Sequence, residues 1–217
     1  MSELRNFLQN QRSQYEMGQL NRADLLSDPI EQFKIWFKDA MNAGVLEANA
    51  MNLATVDENG KPSSRIVLLK DVDERGFVFF SNYKSRKGRE IEKDAAVALN
   101  FFWVEQMRQI RIEGLLSKVS ENESDEYFKL RPRMSQLGAY ASAQSEVIES
   151  REIIEQRLIQ LDQQFATTEI PRPAYWGGYL LTLQQIEFWQ GRPNRLHDRF
   201  RYSLQKNFSW QINRLSP

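Results

Sequence analysis

A succession of short apolar segments, separated by turn signals, limits most strongly the folds that are open to this chain. Residues 51–56 and 65–69 are two such segments, and the turn between them contains Asn59-Gly60, a pair that strongly favours a β-hairpin. Similar segments predict further strands at residues 77–81, 96–103, 109–119, 179–183, 186–190 and 210–215. Short antiparallel strands in such a series are typical of a meander that closes into a barrel.

Helices are predicted beside these strands. Asp28 can cap a helix that opens at Pro29 and ends near Gly44, because a short acceptor side chain followed by proline is a typical helix start. Apolar residues at helical spacing predict a buried face for this helix: Ile30, Phe33, Trp36, Phe37 and Ala40. Further helices are predicted at residues 85–93, 121–130 and 145–165. The predicted fold class is therefore α+β, mainly antiparallel β.

The length of 217 residues fits one domain with helical additions. The first 27 residues are polar and irregular. The sequence therefore predicts a mobile N-terminal segment at 1–27, followed by a single domain at 28–217.

The composition excludes several classes of protein. The chain has no cysteine and one histidine, which excludes a disulfide framework and argues against structural zinc, so no metal site is predicted. The formal net charge of zero argues against a nucleic-acid partner. No apolar run approaches the roughly 20 residues of a membrane helix, and the N-terminus lacks a secretory signal. We therefore expect no membrane association and a cytoplasmic location.

Residues 186–200 concentrate positive charge in a chain that is neutral overall. Within this stretch lie an aromatic ring, three guanidinium groups and the only imidazole: Trp189, Arg192, Arg195, Arg199 and His197. Charge that is local, rather than spread over the surface, indicates a small anionic ligand and not a polymer. The alternative is a solvated basic loop with one satisfied histidine.

A first polar set, Arg65, Ser85, Arg86 and Lys87, is predicted to bind an anion. Arg65 begins an apolar strand, and the other three residues begin a helix. The free N–H groups and the dipole at a helix N-terminus favour anions, so basic residues there gain nothing from the helix itself. A bound anion explains their placement. The alternative is a helix with poorly placed surface charges.

A second polar set, Lys70, Tyr127, Arg131 and Ser135, has the groups of a phosphate cradle. Tyr127 and Arg131 are four residues apart and share a helix face, and Ser135 is predicted in the loop that follows this helix. Two cations and two hydroxyl groups are typical phosphate ligands. Lys70 ends the strand that Arg65 begins, so one strand can serve both sets. Neither a Walker loop nor a dinucleotide-binding glycine turn is present.

Eight short motifs occur in order between about residue 15 and the last residue: Arg65-Ile-Val-Leu-Leu-Lys70, Asn82-Tyr-Lys-Ser-Arg-Lys87, Tyr127-Phe-Lys-Leu-Arg-Pro-Arg133, Ser135-Gln-Leu-Gly-Ala139, Gln144-Ser145, Phe188-Trp-Gln-Gly191, Arg195-Leu-His-Asp-Arg199 and Arg214-Leu-Ser-Pro217. Together they resemble the pyridoxine/pyridoxamine 5′-phosphate oxidase family. The resemblance implies that residues 28–217 form an FMN-binding split β-barrel with flanking helices. It also implies a homodimer with two flavin sites at the subunit interface.

The resemblance implies that one group of residues contacts the cofactor, FMN. These residues are Arg65, Ile66, Val67, Leu68, Lys70, Phe80, Ser81, Arg86, Lys87, Gln109, Gln144, Ser145, Trp189 and Arg199. Among them, Arg65, Arg86 and Lys87 suit the phosphate of FMN. Phe80 stands where the family often has a tyrosine beside the flavin.

A second group matches the family's substrate contacts. Lys70, Tyr127, Arg131 and Ser135 match residues that bind the substrate phosphate. The catalytic pair, Arg195 and His197, matches residues that face the pyridine ring, and in an extended chain the two side chains project to the same side. Arg12 and Tyr15 resemble a mobile N-terminal pair that covers the substrate.

The activity that the resemblance implies is an FMN-dependent oxidation in vitamin B6 metabolism. Pyridoxamine 5′-phosphate or pyridoxine 5′-phosphate becomes pyridoxal 5′-phosphate, O2 accepts the electrons, and H2O2 is released, together with ammonia from the amine. Two alternatives stay open: a related split-barrel flavoprotein that acts on a different substrate, and a non-enzymatic protein that binds FMN or vitamin B6.

Overall fold

The structure, a computed structural model, describes residues 3–10 and 18–217. In this part of the chain a mainly antiparallel β-sheet is accompanied by six α-helices, which confirms the predicted fold class. The helices are α1 (Glu3–Asn10), α2 (Pro29–Asn42), α3 (Arg86–Lys93), α4 (Glu121–Leu130), α5 (Arg133–Ala141) and α6 (Glu152–Gln164). The strands are β1 (Ala50–Val56), β2 (Pro62–Leu68), β3 (Asp71–Asp73), β4 (Gly76–Asn82), β5 (Ala96–Trp103), β6 (Arg108–Lys118), β7 (Trp176–Gln190), β8 (Asp198–Leu204) and β9 (Trp210–Arg214).

The chain divides into two compact units, each made of several segments. The first unit contains Met1–Ala48, Phe101–Arg111 and Gln185–Pro217. The second unit contains Asn49–Asn100 and Ile112–Gln184. Because the boundaries fall within β5, β6 and β7, these three strands contribute residues to both units.

Strand β2 lies at one end of the strand order β2-β1-β5-β6-β7-β4-β3. It forms the predicted hairpin with β1, in a register that runs from Ala50 opposite Leu68 to Val56 opposite Pro62. In the turn, Gly60 has a φ of 75°, a left-handed conformation that glycine adopts without a steric penalty. Because β2 has only one neighbouring strand, most of its residues are half-buried or exposed. The segment with Arg65 is therefore accessible to a ligand.

A cluster of residues from two helices and the start of β7 forms part of the core of the second unit. Its buried members come from α4, α5, the segment before β7 and β7 itself: Phe128, Leu137, Ala139, Ile170 and Trp176. Ser120 caps α4, because its Oγ accepts a hydrogen bond of 3.1 Å from the N–H of Glu123. Pro132 disfavours a helical conformation at Arg131, and α4 ends just before that residue. The end of α4 thus places Arg131 beside the cluster.

The first unit has an aromatic core around α2. Phe33 lies 5.3 Å from Phe101, and Trp36 lies 5.1 Å from Phe188 in an edge-on contact, both measured between ring centroids. As predicted, Asp28 caps the helix and accepts a hydrogen bond of 2.7 Å from its first turn. Strands β7, β8 and β9 pair antiparallel in this unit, which sets the loop before β8 at the end of a packed sheet.

Six elements differ from the sequence prediction. Helix α1 lies in the N-terminal stretch that was predicted to be irregular, and the short strand β3 was not predicted. The predicted loop around Ser135 is helix α5, a short helix whose stability comes from packing against the cluster, which a local pattern does not show. Helix α6 begins at Glu152 and not at Ser145, whose φ of 74° is incompatible with a helix. Strand β7 is continuous, whereas two strands were predicted in this region. Strand β8 was not predicted, although its buried Phe200 and Tyr202 alternate with charged residues.

Among the described residues, no helix is long and apolar enough to cross a membrane. The predicted mobility of residues 1–27 and the predicted single domain at 28–217 stay predictions.

Candidate active site

The second unit contains a cavity of about 570 Å³ whose wall brings Arg65 and Lys87 of the first polar set together with all four residues of the second set. This volume is within the range of sites for small molecules. Its walls come from β2, β4, the start of α3, the end of α4, α5 and the start of β7: Arg65, Ile66, Val67, Leu68, Lys70, Phe80, Ser81, Asn82, Lys87, Tyr127, Leu130, Arg131, Pro132, Ser135, Gln144 and Trp176. The four charged side chains in this wall are all cations, so the cavity suits an anionic ligand.

Lys87 is a half-buried cation that contacts only neutral acceptors in this wall. Its Nζ donates to Oε1 of Gln144 at 2.8 Å, to Oγ of Ser81 at 3.2 Å and to Oγ of Ser85 at 3.3 Å. Burial lowers the pKa of Lys87 to about 8, and the charge of Arg65 acts in the same direction. A phosphate beside this ammonium group would therefore supply the direct counter-charge that its three neutral hydrogen-bond partners do not.

The other two cations of the first set share a buried carboxylate. Nη2 of Arg65 lies 3.0 Å from Oε2 of Glu90, and Nε of Arg86 lies 2.8 Å from Oε1 of the same residue. Burial alone would raise the pKa of Glu90, but hydrogen bonds from Thr55, Ser63, Arg86 and Arg65 lower it to about 2. Arg86 is thus paired within its own helix and is not among the residues that line the cavity.

The second set holds a buried guanidinium group that is incompletely paired. Arg131 lies over the ring of Trp176, with 4.4 Å between its Cζ and the ring centroid. Its Nη1 is buried and has no hydrogen-bond partner in the part of the chain that the structure describes. Burial lowers the pKa of Arg131. A buried donor without an acceptor is costly, and an anion in the cavity would satisfy it.

Tyr127 joins this guanidinium group to an aromatic stack. Its ring lies 3.8 Å from Phe80 and 6.2 Å from Trp176, measured between centroids, at interplanar angles of 15° and 4°. Ser135 lies in the first turn of α5, where its N–H donates to the carbonyl of Pro132 at 2.8 Å. Trp176, over which Arg131 lies, thus belongs to an aromatic stack with Tyr127 and Phe80, and Ser135 lines the same cavity.

The residues present fit two phosphate-bearing groups. Lys87 with its neutral partners forms one cationic end of the wall, and Arg131, with Lys70, Tyr127 and Ser135, forms a second set of donors. Cations and hydroxyl groups are phosphate ligands. The apolar side chains of β2, among them Ile66 and Leu68, supply a surface for a flat ring.

The first unit contains the other predicted residues, which form a second group. The rings of Trp189 and His197 lie 4.5 Å apart, and the backbone N–H of Arg192 donates to Nδ1 of His197 at 3.1 Å. Burial lowers the pKa of His197, and the charges of Arg195 and Arg199 add to this effect. Because Nδ1 accepts a hydrogen bond, the neutral imidazole carries its proton on Nε2 and can donate there.

The arginines of this group are held differently. The guanidinium group of Arg199 forms two hydrogen bonds with the buried carboxylate of Glu187, at 2.7 and 3.1 Å. Arg195 is exposed and has a φ of 62°. The prediction that residues 195–197 are extended is therefore wrong, because the chain turns through a short 3₁₀ segment at Pro193–Arg195 before β8. Gln109 is half-buried in β6 of the same unit.

Some predicted residues lie elsewhere, and some wall residues were not predicted. Arg12 and Tyr15 fall outside the described residues, and Ser145 is exposed and does not line the cavity. Glu90 was missed, although it follows Arg86 by four residues, a spacing that signals a helical ion pair. Sequence reasoning also missed four wall residues, whose position depends on tertiary contacts: Asn82, Leu130, Pro132 and Trp176.

Two family models match this chain. Residues 37–165 match the model described as "Pyridoxamine 5′-phosphate oxidase". Residues 176–217 match the model described as "Pyridoxine 5′-phosphate oxidase C-terminal dimerisation region". Between them the two models cover most of the chain, including both groups of predicted residues.

Curated relatives and solved structures agree with these matches. A pyridoxine/pyridoxamine 5′-phosphate oxidase of Cyanothece sp. is 54% identical over 206 residues, which cover 95% of this chain and 96% of the relative. The protein of the same name from Cupriavidus taiwanensis is 52% identical, with coverages of 95% and 97%. The crystal structure of PhzG from Burkholderia lata, in complex with tetrahydrophenazine-1-carboxylic acid, has a TM-score of 0.86 at 32% identity, covering 91% of this chain and 98% of that one.

A more distant structure shows the same fold. It is a pyridoxamine 5′-phosphate oxidase-related, FMN-binding protein from Nostoc punctiforme, with a TM-score of 0.70 at 16% identity. The matched regions cover 88% of this chain and 98% of that protein. The split-barrel fold class predicted from the sequence is therefore confirmed.

Proposed function

We propose that this chain, which belongs to the pyridoxamine 5′-phosphate oxidase family, oxidises pyridoxamine 5′-phosphate and pyridoxine 5′-phosphate to pyridoxal 5′-phosphate. O2 is the proposed electron acceptor, and the proposed co-products are H2O2 and, from the amine, ammonia. The proposed location is the cytoplasm, in vitamin B6 metabolism. The names of the relatives support this substrate class.

One observation carries the substrate proposal. Arg131 is half-buried over the ring of Trp176, and its buried Nη1 has no hydrogen-bond partner among the residues that the structure describes; the same cavity wall contains Lys70, Tyr127 and Ser135. A phosphate monoester supplies the acceptor oxygens and the negative charge that this set lacks. The group therefore favours phosphorylated B6 compounds over their unphosphorylated forms.

The proposed cofactor is FMN, which when bound would accept the electrons of the substrate and transfer them to O2. Arg65 on β2, together with Arg86 and Lys87 at the start of α3, would hold its phosphate. The apolar side chains of β2 and the ring of Phe80 would contact the flavin itself. Gln144 accepts a hydrogen bond from Lys87, so it would orient this ammonium group toward the phosphate.

Arg195 and His197 are the proposed groups at the reacting carbon. The exposed guanidinium group of Arg195 would lie flat against the pyridine ring and stabilise negative charge. His197 would donate from Nε2, because the Arg192 N–H occupies Nδ1. Its lowered pKa keeps the imidazole neutral at neutral pH, so we assign His197 to orienting the substrate by a hydrogen bond and not to supplying a charge.

The proposed assembly is a homodimer with two flavin sites at the subunit interface. The match of residues 176–217 to a dimerisation region supports this assembly. Trp189, Arg199 and Gln109 are the proposed flavin contacts from the first unit. A ligand that bridges subunits would couple cofactor binding to dimerisation.

The second polar set, Lys70, Tyr127, Arg131 and Ser135, bears on the alternative that this chain is a split-barrel flavoprotein with another substrate. The molecule named in the PhzG complex is a carboxylic acid whose name contains no phosphate. A carboxylate also binds arginine, but it has two acceptor oxygens and one negative charge, so it would use fewer of the donors around Arg131 than a phosphate monoester. The proposal of a B6 phosphate substrate therefore depends on that group.

The test is an absorption spectrum of the purified protein, followed by oxygen uptake with pyridoxamine 5′-phosphate and with pyridoxamine. We expect a flavin spectrum and oxygen uptake that strongly favours the phosphorylated amine. A flavin-loaded protein that consumes no oxygen with either B6 phosphate would contradict the proposed activity.

A further inference from the structure

The distribution of charge in the predicted flavin-phosphate set is uneven. Two of the three cations in this set form ion pairs with Glu90: the carboxylate oxygens of Glu90 lie 3.0 Å from Nη2 of Arg65 and 2.8 Å from Nε of Arg86. Thr55 and Ser63 donate further hydrogen bonds to Oε2 of Glu90, at 2.5 and 2.8 Å. With a side-chain exposure of 5%, this carboxylate is fixed within the protein.

Lys87 is the cation that this arrangement leaves with neutral neighbours. Its ammonium group contacts the hydroxyl groups of Ser81 and Ser85 and the amide oxygen of Gln144. The charged groups that act on it are Arg65 on β2, which lowers its pKa, and Glu90 on α3, which raises it. The other charged residues in the cavity wall, Lys70 and Arg131, are also cations.

We propose that Glu90 is a positioning residue of the flavin-phosphate subsite: it holds Arg65 and Arg86 in place and leaves Lys87 as the cation whose charge meets the phosphate. This assignment rests on the proposed binding of FMN. Three cations and one carboxylate leave a net charge of +2 at the subsite. A phosphate monoester with a second pKa of about 6 is a dianion at neutral pH, so its charge matches that of the subsite.

This division of charge makes phosphate binding depend on the protonation of Lys87. The ammonium group has a pKa of about 8 without the anion, and a bound phosphate raises this pKa because it favours the charged form. The contribution of Lys87 to binding is therefore complete below pH 8 and decreases as the pH rises above it. The negative charge of Glu90 raises the pKa of Lys87, so removing this charge should lower the pH at which binding weakens.

The test measures the Kd of FMN for the flavin-free full-length chain, by quenching of flavin fluorescence between pH 6.5 and 9. For the wild type we expect the Kd to be constant at low pH and to rise above about pH 8, by at most about tenfold per pH unit. In Glu90→Gln we expect this rise to begin about half a pH unit or more lower, because the supporting negative charge is absent. Riboflavin, which lacks the phosphate, should bind with no such pH dependence.

Two further variants separate charge from shape. Lys87→Arg keeps a charge throughout this pH range, so its Kd for FMN should not rise above pH 8. Glu90→Asp keeps the carboxylate but shortens the side chain, so its pH profile should stay near that of the wild type even if the affinity decreases. Wild-type and Glu90→Gln profiles that coincide, or an aspartate variant that behaves like the glutamine variant, would overturn the role of Glu90. Failure of the wild type to prefer FMN over riboflavin contradicts instead the proposed cofactor site.

Discussion

At the scale of single residues, the pairing of the cations distinguishes the parts of the cavity. Arg65 shares the carboxylate of Glu90 with Arg86, and Lys87 has neutral acceptors. Arg131 lies over Trp176, and its buried Nη1 has no hydrogen-bond partner among the described residues. The sequence predicted these cations as anion ligands, but the pattern contained no information on which of them already had an internal partner. Unlike Arg65, Lys87 and Arg131 have no carboxylate among the partners that the structure describes for them.

Arg131→Ala should weaken the use of phosphorylated substrate and leave flavin binding intact. Loss of a charge-assisted hydrogen bond costs about 1.5–3 kcal/mol, which corresponds to a roughly ten- to hundredfold decrease in kcat/KM for pyridoxamine 5′-phosphate. Oxygen uptake with pyridoxamine, which already lacks the phosphate, should change little. Arg133→Ala is the matched control, because Arg133 pairs with the exposed Asp162 and does not line the cavity. Equal losses with both substrates would mean that Arg131 is structural.

Arg195→Leu should slow the reduction of the flavin by substrate, while the reoxidation of the flavin by O2 stays at the wild-type rate. The reason is that the guanidinium group is proposed to act on the substrate ring and not on the cofactor. Lysine at this position should restore only part of the rate, because a point charge does not reproduce a flat guanidinium group. His197→Asn should have a smaller effect, since an amide still donates a hydrogen bond. Anaerobic stopped-flow reduction and aerobic reoxidation measure the two steps separately. Arg195→Leu reduction at the wild-type rate would exclude Arg195 from this step.

Glu90 should make the stability of the protein sensitive to acid. Its pKa is lowered to about 2 in the folded protein, against about 4.3 for an unfolded glutamate. Its stabilising contribution, on the order of 3 kcal/mol, is therefore complete above the unfolded pKa and is lost as the pH falls through about 2. Urea unfolding of the flavin-free protein should show that Glu90→Gln is least stable relative to the wild type near pH 6, with a smaller difference at pH 3. Glu58→Gln, on the exposed β1–β2 turn, is the control. A difference that does not vary with pH contradicts the prediction.

At the scale of elements, local signals were sufficient where a cap or a turn defines the boundary. The hairpin of β1 and β2 and the start of α2 follow the sequence pattern closely. Helix α5 was missed because its packing, and not a local pattern, determines it. Strand β8 was missed although Phe200 and Tyr202 alternate with charged residues there. The site depends on both kinds of element, since β2 and α3 were predicted, whereas α5 carries Ser135.

Asp28→Ala should destabilise the protein through the start of α2. The carboxylate accepts hydrogen bonds from the N–H groups of Ile30 and Glu31, and the loss of such a cap costs about 1 kcal/mol. We expect a decrease of that size in the free energy of unfolding, measured in urea, with the kcat for pyridoxamine 5′-phosphate unchanged. Asn at this position, which is also a good cap, should retain most of the stability. A loss of activity without a loss of stability would show that α2 has a different role.

At the scale of the whole molecule, the two groups of residues proposed for the site lie in separate units. The cavity and both phosphate sets belong to the second unit, and Trp189, His197 and Arg199 belong to the first. The dimerisation region matched at residues 176–217 includes the latter group. We therefore expect the assembly, and not the isolated chain, to form the complete site.

The protein should be a dimer whose dissociation accompanies loss of FMN. A cofactor that binds at the subunit interface stabilises the dimer by mass action, so dilution should release flavin and subunits together. Light scattering across a dilution series, combined with flavin fluorescence, measures both quantities. Added FMN should shift the dissociation to lower protein concentration, whereas riboflavin should have a much smaller effect. A monomer that retains full activity at the assay concentration would contradict the proposed assembly.

The sequence by itself predicted the fold class, the family and most of the residues that line the cavity. Turn pairs, helix caps and alternating apolar residues act over a few positions, so they can be read without any tertiary contact. The tertiary structure decided how the cations are paired: it brought Glu90 to Arg65 across 25 positions of the chain and stacked Arg131 on Trp176. It also turned the chain at Arg195, where an extended segment was predicted. Burial and pairing depend on the packing of residues that are distant in the sequence, and such packing has no local pattern.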